Sequence, residues 1–278
     1  MIDAASRRIA LLLEYDGGRF HGFQVQAGAR TVQGEVEAAL ADMLGEPVRI
    51  HGAGRTDTGV HAVGQVAAFA TTAAHEPAVF LRALNARLPD DVAVAEACEV
   101  PAGFDPRRHA SRRWYRYVIL NRPAPAPLLR QHAAWVRSGL DATAMDEAAR
   151  LLEGRHDMAS FSAVPSSPTT TVRGVFRAQV QRRGDFVVFD VEAEAFLQQQ
   201  VRRTVGVLLE VGRSACGAER VEALLANPVL GAAEYAAPPQ GLYLMEVTYP
   251  EGAVAFAQRP LDRLAPIVLS MNHQGVPV

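Results

Sequence analysis

One order of elements, met twice along 278 residues, constrains this chain more than any single motif. Residues 8–15 (Arg-Ile-Ala-Leu-Leu-Leu-Glu-Tyr) form an apolar run closed by Asp16-Gly17-Gly18, which predicts a strand. Thr31 stands as a helix N-cap before Val32, Val36, Leu40 and Met43, apolar positions at helical spacing, and Gly45 ends them. Apolar runs predict strands at 47–53 and 63–71. Pro77 opens a helix through Phe80 and Leu84 that Pro89 stops, and 92–98 alternates as a strand. The order is β-α-β-β-α-β. A second pass gives a strand at 112–121 and a helix capped by Asp141 that runs through Leu152 to Gly154. A long Ser/Thr/Pro-rich loop at 156–171 follows, then a hairpin of 172–181 with 186–194. A long helix over 196–212, a short one near 219–226 and a strand at 242–249 complete it. The two passes share their order and not their sequence. Two such units can join sheets edge to edge and leave a cleft. The expected organisation is a first lobe over 1–103, a second over 104–250 and an extension over 251–278.

Composition narrows the chemistry. All 28 basic residues are arginine. Without lysine there is no P-loop lysine, Schiff base or kinase-type lysine. Cys98 and Cys216 are far apart and outside any CxxC, so neither a disulfide framework nor a thiolate zinc site is expected, and both read as small buried residues. The eight histidines show no ligand spacing, so no metal is expected. No apolar run reaches a membrane span, and the run after Arg7-Arg8 is too short for a signal peptide, which makes the cytoplasm the expectation. Net charge is −2, yet 106–140 carries eight arginines and no acid, and 158–184 carries four and no acid. One basic face fits a phosphate-rich partner, although arginine replacing lysine on ordinary surface explains the count alone.

Three stretches could carry function. Gly52-Ala-Gly-Arg55-Thr-Asp57-Thr-Gly-Val-His61 places one acid among glycines between two apolar runs. Such glycines suit positive φ or close approach of a ligand, and Asp57 is either a turn or cap residue or a catalyst. In the stretch Arg107-Arg108-His109-Ala110-Ser111-Arg112-Arg113-Trp114-Tyr115-Arg116-Tyr117, strand alternation puts Arg113, Tyr115 and Tyr117 on one face and Arg112, Trp114 and Arg116 on the other. Arginine binds phosphate and aromatic rings stack on bases, which suits RNA; the other reading is core aromatics and solvated arginines. In the helix over 196–212, Gln198, Arg202 and Gly206 fall on one line, with Gly206 leaving room beside Arg202. Arg202 is either a snorkelling arginine or one that pairs with a carboxylate.

The 52–61 loop resembles the signature loop of the bacterial tRNA pseudouridine synthase A family, usually GRTDAGVH. Glu14-Tyr15-Asp16-Gly17, Thr31-Val32-Gln33, residues 104–117, Ser160-Phe161, 196–212 and Gly241-Leu242-Tyr243-Leu244 are similar to it in the same order. Thr58 stands where Ala is common, and Gln198-Gln199-Gln200 where His or Met often stands. The resemblance implies an isomerase that converts uridine to pseudouridine at positions 38, 39 and 40 of the tRNA anticodon stem-loop. It implies a homodimer, tRNA as partner, and neither metal nor organic cofactor. By matching positions, Asp57 is the catalytic carboxylate, acting as nucleophile or as base towards the sugar, Arg202 pairs with it, Tyr115 packs on the target base, and Arg55 helps hold the flipped nucleotide. Arg107, Arg113 and Arg116 are further candidates for binding RNA. The implied fold is α+β: two β-α-β-β-α-β lobes of ferredoxin- or RRM-like order joined in a mainly antiparallel sheet, with a central catalytic cleft flanked by helices. Rival readings are a non-catalytic RNA-binding protein, which has no need of Asp57, and a pseudouridine synthase acting on another RNA site. A phosphoryl-transfer enzyme would need magnesium ligands, and no acid cluster stands near Asp57 in sequence.

Overall fold

The computed structural model describes residues 6–163 and 170–256. It is a mixed α+β fold whose chain divides into two compact units after Ser111 and after Tyr243. The first unit holds strands β1 (Arg7–Tyr15), β2 (His51–Gly52), β3 (His61–Thr71) and β4 (Val92–Val100), with helices α1 (Val32–Leu44) and α2 (Pro77–Asn85). Strand β1 lies between β4 and β3 and is antiparallel to both, with Ile9 opposite Phe69 and Glu99. Its apolar run does not alternate because Ile9 to Leu13 are all buried. Phe80 of α2 meets Phe69 edge-on, with ring centroids 5.4 Å apart. Thr31 caps α1 by accepting from the Gly34 N–H at 3.2 Å, and Gly45 ends it at φ 74°.

The second unit holds β5 (Arg112–Asn121), β6 (Ala134–Val136), β7 (Gly154–Asp157), β8 (Val172–Arg183) and β9 (Phe186–Ala193). Its helices are α3 (Ala142–Arg150), α4 (Gln200–Gly212) and α5 (Glu219–Ala226), and β10 (Leu242–Thr248) carries the chain back to the first unit. Strands run β5-β9-β8-β7, each antiparallel to the next, while β6 pairs parallel to β5. Strand β9 alternates strictly between half-buried and buried residues, the signature of one face on the core. Asp141 accepts from the N–H groups of Thr143 and Ala144 and starts α3, as its cap position predicts.

The first unit keeps the expected order of elements, but the strand expected at 47–53 shrinks to His51–Gly52. The reason is local. Glu37 of α1 accepts the Ile50 N–H at 3.0 Å, and Gln33 donates to the Ile50 carbonyl at 3.1 Å. Side chains of α1 thus take the backbone groups that a ladder would use. The second unit departs further. Short strands β6 and β7 stand where loops were expected, which interrupts the six-element repetition. The helix expected from residue 196 begins at Gln200, because Gln199 is left-handed at φ 58° and the Leu197 N–H donates to the Gln200 side chain at 2.8 Å. Gln198 therefore does not share a helical line with Arg202. Cys98 and Cys216 are half-buried rather than buried. Part of the loop expected at 156–171 and most of the extension expected over 251–278 lie outside the described residues. Of that extension, Ala253, Val254 and Phe256 pack on a cluster of Ala10, Ala68, Val100 and Phe104. No helix among the described residues is long and apolar enough to cross a membrane.

Candidate active site

Asp57 sits in the turn between β2 and β3. The Val60 N–H donates to the Asp57 carbonyl at 3.1 Å and closes the turn over Thr58 and Gly59, with Gly59 at φ 78°. The segment after β1 grips this turn through its backbone. Phe23 N–H donates to the Thr56 carbonyl at 3.1 Å, and Gly59 N–H donates to the Phe20 carbonyl at 3.3 Å. Gly17 permits the approach, since a Cβ there would overlap the carbonyl of Val60. In the loop itself Gly52 likewise makes room for the chain, since a Cβ there would meet the Phe23 ring.

Beneath the turn lies a buried polar chain. The hydroxyls of Tyr15 and Thr56 are 2.8 Å apart. Gln65 on β3 donates from Nε2 to the Gly54 carbonyl at 2.9 Å and approaches the Tyr15 hydroxyl at 3.5 Å. Burial pushes the Tyr15 phenol up to about 12, outweighing the hydrogen bonds from Thr56 and Gln65, so it stays neutral. Gly17 N–H donates to Nδ1 of the buried His61 at 3.0 Å. Asp57 itself is half-buried, between buried Thr56 and exposed Thr58, and Arg55 is exposed. The backbone around Asp57 is thus fixed by Val60, Phe20 and Phe23, while the residue keeps partial exposure.

The other candidates fall into two groups. In the first unit, Arg107 is exposed, and its backbone N–H and that of Arg108 donate to Asp105 Oδ1 at 2.8 and 2.9 Å. In the second unit, Tyr115 on β5 is 8% exposed, with its ring edge-on to Phe196 at 5.1 Å. Past Arg112 the residues of β5 are buried on both faces. Arg113 donates from Nη1 to the Glu194 carbonyl at 2.6 Å. Arg116, 3% exposed, forks onto Asp190 at 2.8 and 2.9 Å, and Trp114 Nε1 donates to the same carboxylate at 2.8 Å. Arg112 is the exposed member, bonded to Glu192 at 2.9 Å and lying 4.3 Å over the Phe176 ring.

Arg202 is half-buried near the start of α4. Its Nε donates to the Ala237 carbonyl at 2.8 Å, and the Ala237 N–H donates back to the Arg202 carbonyl at 2.9 Å. Gly206 makes room, but for the chain itself: a Cβ there would overlap the carbonyl of Tyr235. Neighbouring Arg203 donates to the Ala233 carbonyl at 2.7 Å.

Motif reading missed Tyr15, Thr56 and Gln65 as a connected group, and Phe196 as the neighbour of Tyr115. One signal was available: Gln65 is a lone glutamine inside the apolar run 62–70. A polar side chain at the centre of a buried strand needs partners.

Comparison with known proteins places these features in a family. The tRNA pseudouridine synthase family profile matches residues 12–107 and 148–250, which include Asp57 and Arg202 and leave out Tyr115. The chain is 44% identical over 243 residues to tRNA pseudouridine synthase A of Geotalea uraniireducens (strain Rf4), covering 87% of this chain and all of that one. It is 45% identical over 258 residues to the enzyme of that name from Roseiflexus sp. (strain RS-1), covering 91% and 95%. Among solved structures, an archaeal box H/ACA sRNP Nop10–Cbf5 complex aligns at 15% identity and a TM-score of 0.35, over 73% of this chain and 44% of that one. With the matched residues carrying the Asp57 turn and the Arg202 helix, the chain belongs to the tRNA pseudouridine synthase A family.

Proposed function

We propose that this tRNA pseudouridine synthase acts on uridines 38, 39 and 40 of the anticodon stem-loop, with Asp57 as its nucleophile. The observation that carries the reading is the half-buried Asp57 carboxylate on a turn fixed by Val60, Phe20 and Phe23. Uridine joins ribose through N1–C1′, and the product joins it through C5. The carboxylate attacks C1′, the N1–C1′ bond breaks, and its electron pair stays on the uracil. The ring turns, C5 attacks C1′ and displaces the carboxylate. The C5 proton is then lost and N1 gains one. This step needs an ionised carboxylate and a held ring, and it uses no metal or organic cofactor.

A base inside a stem must leave the stack, at a cost of a few kcal/mol. In this reading Tyr115 packs on the flipped uracil, Arg55 helps hold the extruded nucleotide, and Arg202 pairs with the carboxylate to keep it ionised. Exposed Arg107 meets phosphates. Arg113 and Arg116 contribute from below, by holding β5 in place. The enzyme works in the cytoplasm as a homodimer that contacts one tRNA with both subunits.

Pseudouridine mapping in tRNA from a strain lacking the protein tests the target. The expected result is loss at 38, 39 and 40 with other sites intact. Loss at a different site, with these three retained, would move the assignment to that site.

A further inference from the structure

We propose that Tyr15, Thr56 and Gln65 are positioning residues that hold the Asp57 carboxylate in its reactive place. The proposal rests on Asp57 being the nucleophile and adds what fixes it. All three side chains are buried in one unit, and none of them has the exposure to meet a substrate. They are joined as one chain of hydrogen bonds, from the Gly54 carbonyl to Gln65, from Gln65 to the Tyr15 hydroxyl at 3.5 Å, and from Tyr15 to Thr56 at 2.8 Å. Both ends of this chain land on the loop itself. Gly54 and Thr56 flank exposed Arg55, and Thr56 immediately precedes Asp57.

At its start the loop is also tied to β3, by the Ala53 N–H on the Val66 carbonyl at 2.8 Å. Gln65 and Tyr15 stand on β3 and β1, which pair antiparallel with Leu13 opposite Gln65 and Tyr15 opposite Ala62. The chain therefore transfers the order of the sheet to a glycine-bearing turn. The bond from Thr56 uses its side chain, while its carbonyl is held by Phe23 from the other side, so this one residue is pinned at both groups. A small displacement of a nucleophile costs a large factor in rate, roughly 10²-fold for about 1 Å. The chain is neutral throughout, and the burial that keeps the Tyr15 phenol protonated keeps it so.

Single-turnover conversion of tRNA uridine, tRNA binding and thermal melting are measured together on Thr56→Val, Thr56→Ser, Tyr15→Phe and Asp57→Ala. Thr56→Val keeps shape and removes the hydroxyl. The expected result is a rate lower by roughly 10²-fold with tRNA affinity unchanged. Thr56→Ser restores the rate, because the hydroxyl returns. Tyr15→Phe lowers the rate similarly, and the Tyr15→Phe/Thr56→Val pair falls no further than either alone, as members of one chain do. If Thr56→Val does not fold, Tyr15→Phe carries the same comparison. A wild-type rate in Thr56→Val, a serine variant that stays slow, or a loss confined to tRNA binding overturns the proposal while Asp57→Ala is inactive. An active Asp57→Ala overturns the nucleophile reading itself, and the positioning role with it.

Discussion

The Asp57 turn and strand β5 are held in place by different physics. Below the turn, the contacts are neutral: hydroxyl to hydroxyl between Tyr15 and Thr56, amide to carbonyl between Gln65 and Gly54, and a backbone approach that Gly17 allows. Beside β5 the contacts are ionic, with Arg116 forked on Asp190 and Arg112 on Glu192. A neutral network adds no charge of its own beside the Asp57 carboxylate. The Tyr15–Thr56–Gln65 contacts below the turn carry no charge, and the fork of Arg116 on Asp190 braces strand β5.

The largest expected effect lies on the ionic side. Arg116→Met leaves the Asp190 carboxylate without its fork and should lower stability by about 3–4 kcal/mol. Denaturant unfolding reads it; a loss below about 1 kcal/mol would mean that the pair behaves like a surface one and the contrast is empty. The neutral side should fail in alkali instead. Tyr15 titrates near 10 in the unfolded chain and at about 12 in the folded one, so its contribution is intact below pH 10 and is lost as pH climbs from 10 through 12. The loss reaches about 3 kcal/mol, and Tyr15→Phe should flatten that limb of the unfolding profile. An unchanged limb would show that another group sets the alkaline limit. The smallest effect on stability comes from Gly17→Ala, which pushes on the Val60 carbonyl and should cost about 2 kcal/mol. Because Val60 closes the Asp57 turn, its activity should fall more than its stability; an equal fall would separate the turn's geometry from catalysis.

Much of this was legible in the sequence where one local cause decides the outcome. Thr31, Gly45 and Asp141 mark helix ends because each side chain or φ acts on its own neighbours. The hairpin turned where Gly184 allows φ 55°. The strand expected over 47–53 failed because Gln33 and Glu37, on another element, took its backbone groups. The start of α4 failed for a similar reason, since Gln200 reaches back to Leu197 and Gln199 turns left-handed. Short β6 and β7 have no period of their own and form by pairing with the Ile119–Asn121 end of β5 and with β8. Among the candidate residues, Asp57, Tyr115 and Arg202 stood out by motif. Their supports did not, because Tyr15, Thr56 and Gln65 are 9 or more residues apart and meet only through the sheet. The arginine–aromatic stretch put Arg107, Arg113 and Arg116 together as candidates, and the structure separates exposed Arg107 from buried Arg113 and Arg116.

The central claim is that Asp57 performs the chemistry and the residues around it only hold it. Asp57→Ala, assayed with tRNA carrying uridine labelled at C5, tests it most directly. The account predicts a single-turnover rate at least about 10³-fold lower, with tRNA affinity and melting unchanged. Appreciable pseudouridine from that variant, or loss of tRNA binding in a folded protein, would contradict it.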